Sequence, residues 1–93
     1  MNNKITSEKL EKYFKITFAA LEKVKKKIIR WKEKEAEEII DMASNYISDA
    51  EYFKKKGDFV NAFAALNYAH GWIDSGVRLG IFNVKDRKLF TIK

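Results

Sequence analysis

The sequence predicts an all-α fold, an antiparallel three-helix bundle with a short extended C-terminal tail, on three observations. The 93 residues include no Pro and only four Gly, so the residues that punctuate loops and strand edges are nearly missing. Apolar residues recur in steps of three and four over long stretches, the repeat of one helix face. Hydrophobic residues are 46% and charged residues 34% of the chain, with seven Phe, four Tyr and two Trp, which is enough aromatic bulk for one core. A chain of this length is expected to form a single domain, residues 1–93.

The first helix is predicted over about 7–30. Leu10, Phe14, Thr17, Leu21, Val24, Ile28 and Trp31 alternate steps of four and three, Thr6 or Ser7 offers an N-cap hydroxyl, and Glu8 faces the positive end of the helix dipole. The second helix is predicted over about 34–56 from the stripe Ile39, Ala43, Tyr46, Ala50 and Phe53. No Gly or Pro separates the two. A continuous helix from Ser7 to Lys56 would be roughly 75 Å long, too long for a compact domain of this size, so a turn is expected near Trp31 to Glu35. The next break is explicit: Lys54, Lys55 and Lys56 suit a helix C-terminus, Gly57 suits the left-handed position after it, and Asp58 suits an N-cap. The third helix is predicted over 58–79, stopping at Gly80. The tail, 81–93, lacks a helical period, and Leu89, Phe90 and Ile92 suggest an extended segment lying on the bundle.

The run YISDAEYFKKKGDFVNAFAALNYAHGWIDSGVRLGIFNV, with LFT near the end, resembles the archaeal domain of unknown function 357. The likeness begins at about Asp41 and is most specific in AHGWIDSGVRLG, leaving the first helix to stand on periodicity. The resemblance implies a small helical bundle of archaeal origin and no activity, so it supplies no catalytic or binding residue.

On a helical wheel the third helix separates an apolar arc, Phe59, Ala62, Phe63, Ala65, Leu66, Ala69, Trp72, Ile73, Gly76 and Val77, from a strip holding Asn67, His70, Gly71, Asp74 and Arg78 with Ala64 and Ser75. Gly71 is the pointed residue. A mid-helix Gly costs about 1 kcal/mol relative to Ala, so something is expected against that face, either the chain's own tail or a macromolecular partner. The function expected is a non-enzymatic interaction module that presents Asn67, His70, Gly71, Asp74 and Arg78 to an unidentified protein. His70 and Asp74 alone do not make a catalytic site, because a general base needs a pocket and a third orienting group.

Charge gives the alternative. Residues 1–34 hold eleven basic and four acidic side chains, a net of +7 in a chain whose net is +6. Lys12, Lys15, Lys23, Lys26 and Arg30 share an arc opposite the first apolar stripe, a basic ridge that could follow the phosphates of RNA. A homodimer is the second alternative, since so regular a heptad could also serve a coiled-coil partner. With no Cys and one His, no metal site and no cofactor are expected. The N-terminal residues lack the apolar core of a signal peptide and no window is long enough to span a bilayer, so the expected location is cytoplasmic, without membrane association.

Overall fold

The computed structural model describes residues 4–86 and 89–90. Three helices, α1 (Ser7–Lys25), α2 (Glu33–Lys55) and α3 (Phe59–Arg78), pack as an all-α antiparallel bundle. α3 is shared: it packs extensively on α2 and also on α1, whereas α1 and α2 touch little.

Local chemistry sets most boundaries. The Thr6 side chain caps α1 by accepting from Lys9 N–H at 3.1 Å. Between α2 and α3, Asp58 N–H donates to the Phe53 carbonyl and Gly57 N–H to that of Lys54, with Gly57 at φ +77°. This is a complete Schellman motif, and it occupies carbonyls that the helix end would otherwise leave bare. Asp58 then caps α3 through Asn61 N–H, as expected. The same motif closes α3: Gly80 takes φ +76°, Gly80 N–H donates to Val77, and Ile81 N–H donates to Gly76.

The first helix is shorter than its periodicity suggests. It ends at Lys25 instead of near Arg30, and the connection to α2 occupies residues 26–32. Here the tail competes for the backbone: Ile29 N–H donates to the Ile81 carbonyl at 2.9 Å, Asn83 N–H donates to the Lys27 carbonyl at 2.8 Å, and Ile28 and Phe82 form an antiparallel bridge. Tertiary pairing thereby overrides helix propensity. Ile28 and Trp31 leave the stripe, and Trp31 is 79% exposed.

The core contains Leu10, Phe14, Leu21 and Val24 from α1, with Thr17 buried among them. It continues through Ala36, Ile39, Ala43, Ile47 and Ala50 of α2 and Ala62, Leu66, Ala69 and Ile73 of α3. Ile47 takes the core position expected of Tyr46, which is half-buried and stacks on Tyr68 with ring centroids 5.4 Å apart. The tail adds Ile81, Phe82, Val84 and Phe90 to the same core. It lies on the bundle as expected but is not extended throughout, because Phe90 N–H turns back to the Asp86 carbonyl. Ile92 lies outside the described residues.

Trp72 is the main correction on α3: it is 39% exposed, where the wheel placed it inside. The buried arc centres on Ala62, Leu66, Ala69, Ile73 and Gly76, which leaves Trp72 and His70 on opposite shoulders. Among the described residues, no helix is long and apolar enough to cross a membrane.

Candidate functional site

The five residues expected to share an outward strip on α3 divide into two groups. His70 and Asp74 turn toward α1 and the tail. His70 Nδ1 lies 3.4 Å from the Thr17 hydroxyl, and Nε2 is within hydrogen-bond distance of the Leu89 carbonyl. A carbonyl only accepts, so Nε2 carries a hydrogen and donates it to Leu89. One imidazole thus ties α1, α3 and the tail together. Asp74 Oδ1 sits 3.8 Å from Nε2 on the next turn. With both ring nitrogens engaged inside the protein, the pair joins elements of the fold.

Asn67, Gly71 and Arg78 are exposed. A Cβ added to Gly71 would meet nothing within 4 Å, so no described residue of the tail covers it. The glycine that packing requires is Gly76, where an added Cβ would stand 2.5 Å from Phe82 Cε2 and 3.0 Å from Ile39 Cδ1. The tail therefore docks beside Gly76 and His70, one shoulder round from the strip.

The outward face of α3 is more apolar than the wheel suggested. Val60, Tyr68 and Leu79 are 62%, 63% and 72% exposed. With Ala64, Gly71 and Ser75 they form the series 60, 64, 68, 71, 75, 79. Only two of the 20 residues of α3 carry a formal charge, Asp74 and Arg78, against eight of 19 in α1 and ten of 23 in α2. A helix turned to water on one side normally carries its charges there. The sequence signal for this second stripe is the same step of four that marks the core stripe, and it was hidden because the inward arc absorbs the larger residues.

The basic ridge is broken. Lys12 and Lys15 are exposed on α1, but Lys23 pairs with Asp86 at 3.1 Å. Lys26 is the residue after the helix, and Arg30 lies in the connection with its guanidinium 5.1 Å from the Trp31 ring centroid. The heptad stripe proposed for a coiled coil is used inside the chain, where Leu10, Phe14, Thr17, Leu21 and Val24 are all buried. A cleft between α1 and α2, lined by Phe14, Phe18 and Lys15, is spanned by the Lys54–Glu11 ion pair, with Lys54 also over the Phe14 ring. Among the described residues, no three His, Asp or Glu side chains converge as a metal site would require.

No curated protein and no solved structure matches this chain. A family model does, over residues 12–82, a span that takes in most of α1, all of α2 and α3, and the tail only as far as Phe82. The match starts well before Asp41 and stops before Leu89, so the first helix lies largely inside the family pattern and the end of the tail lies outside it. By that match the chain belongs to the family described as protein of unknown function (DUF357).

Proposed function

We propose that this protein is a small non-catalytic interaction module that associates through the outward face of α3, and that the occupant of that face is a second copy of the chain. The carrying observation is the stripe Val60, Ala64, Tyr68, Gly71, Ser75, Leu79, whose steps of 4, 4, 3, 4 and 4 read the same in both directions. A two-fold interface must be self-complementary. With two α3 helices antiparallel and crossing between Tyr68 and Gly71, Val60 of one copy faces Leu79 of the other, and Ala64 faces Ser75. The Tyr68 ring then lies over Gly71, which has no side chain to obstruct it. Arg78 falls opposite Asn61, one turn from the Asp58 carboxylate. Asn67, Gly71 and Arg78 keep the binding role expected of the strip, whereas His70 and Asp74 support the fold behind it.

Light scattering at high micromolar concentration is expected to give twice the chain mass for the wild type and the chain mass for Tyr68→Arg, with helicity unchanged by circular dichroism. The register has its own test, because the chain has no Cys. An oxidised mixture of Ala64→Cys and Ser75→Cys chains should give a disulfide between unlike chains. Ala64→Cys alone should give none, since the two copies of position 64 stand about 16 Å apart along the helices, well beyond a disulfide's reach. A monomeric wild type, or a dimer indifferent to Tyr68→Arg, would overturn the reading.

Gly71→Ala should separate folding from association. It raises the unfolding free energy by about 0.5–1 kcal/mol, because alanine loses less backbone entropy and the added methyl group meets only solvent. The same methyl group obstructs Tyr68 of the second copy and weakens the dimer. Urea denaturation in dilute solution and light scattering read the two effects.

A further inference from the structure

We propose that the connection between α1 and α2 is a binding site for single-stranded nucleic acid, with the Trp31 indole stacking on a base and Lys26, Lys27, Arg30 and Lys34 contacting phosphates. Charge is the first observation. Residues 23–34 hold seven basic side chains and one acid, a net of +6, equal to the formal net charge of the whole chain. Lys26, Lys27 and Lys34 form no ion pair among the described residues, and all three are exposed.

The backbone is the second. Trp31 sits at φ +76°, a left-handed conformation that a bulky side chain seldom adopts and that glycine would take without strain. Trp31 is 79% exposed, so little packing offsets that strain. The loop is nevertheless held. Trp31 N–H donates to the Glu33 carboxylate at 2.9 Å and Lys32 N–H to the Ile29 carbonyl at 2.9 Å. Two further hydrogen bonds tie Lys27 and Ile29 to the tail. A strained, water-facing indole on a fixed frame inside a cationic patch is poorly explained by folding, whereas an aromatic platform beside phosphate-seeking cations is how single strands are bound without sequence preference.

Arg30 decides between a nucleic acid and an anionic membrane. Its guanidinium covers one face of the indole, so a ring entering hydrocarbon would draw that charge in with it. A base instead takes the open face and leaves Arg30 at the level of the phosphates. The arc of Lys12, Lys15, Lys23, Lys26 and Arg30 carries no aromatic residue of its own. The loop supplies one, and it uses Lys26 and Arg30 in a place that the helix could not have given them. This site is independent of the α3 face and stands or falls separately.

The chain has two Trp, so in Trp72→Phe the emission reports on Trp31 alone. Titration with oligouridylate of about twelve nucleotides should quench that emission to saturation. The logarithm of the binding constant should fall with the logarithm of salt concentration at a slope of about −2 to −3, as three or four phosphate contacts require. By anisotropy of a labelled oligonucleotide, Trp31→Gly should bind about tenfold to a hundredfold more weakly than wild type. The same variant should melt at a higher temperature, because glycine accepts the left-handed backbone. No binding at low salt, or equal binding by wild type and Trp31→Gly, would overturn the proposal. Emission that shifts to the blue with phosphatidylserine vesicles while oligouridylate leaves it unchanged would replace it with a membrane site.

Discussion

Phe82→Ala is expected to lower the unfolding free energy by about 3–5 kcal/mol, as for other buried aromatic truncations, although Phe82 lies beyond the last helix. Phe82 is 2% exposed and its ring sits on the gap left by Gly76, which Ile39 of α2 also borders. Phe82 also forms the bridge to Ile28, and the two hydrogen bonds that fix the loop from Lys27 to Ile29 flank it, at Ile81 and Asn83. Removing the ring opens a cavity at the junction of α2, α3 and the α1–α2 connection. A domain of this size has roughly 5–15 kcal/mol in total, so the variant keeps only part of its margin. At about 4–8 °C for each kcal/mol, its melting midpoint should fall by at least about 12 °C, which differential scanning calorimetry will resolve. A fall of only a few degrees would mean that the tail rests on the bundle without being part of its core.

That dependence on the tail explains which parts of the fold were legible in the sequence. Signals carried by a few adjacent residues came through: Thr6 capping α1, Gly57 and Asp58 at the turn, and Gly80 closing α3 all act within one helical turn of themselves. The end of α1 was misread because what ends it lies more than fifty residues away. Ile28 keeps the helical step, and only the pairing with Phe82 removes it from the helix. Trp31 followed the same stripe into a predicted core position and is instead the most exposed of the described large apolar residues.

The face of α3 was legible in part. Composition separated small and polar residues from bulky ones, and that sorted Asn67, Gly71 and Arg78 outward correctly. It could not fix the rotation of a helix that is apolar nearly all round. His70 and Trp72 lie at similar angles on either side of the buried arc, and hydrophobicity favoured the tryptophan. What turns the helix the other way is a polar opportunity invisible in sequence order: Thr17 and the Leu89 carbonyl converge on one imidazole. The glycine argument met the same obstacle. Of two mid-helix glycines, the one that appeared to lack a packing reason is the one in open space, and the one assigned to the core is held there by a ring from the tail.

Gly76→Ala tests that last relation and should change sign with its partner. In the wild type the new Cβ would stand 2.5 Å and 2.8 Å from two atoms of the Phe82 ring and 3.0 Å from Ile39 Cδ1. The ring is enclosed and cannot swing aside, so α3 or the tail must shift, at a cost of about 1–3 kcal/mol for overpacking. Helix propensity works the other way by about 1 kcal/mol, and the steric cost exceeds it at this site. In the Phe82→Ala background the obstructing ring is gone and the methyl group enters the cavity left by it. Gly76→Ala should then be neutral or stabilising by up to about 1 kcal/mol, leaving propensity as the main remaining effect. The double-mutant cycle should therefore return a coupling of about 1–3 kcal/mol between two residues six apart in sequence, measured by urea denaturation of the four proteins. Additive effects would place the ring elsewhere, and the tail would then no longer account for a glycine at this position.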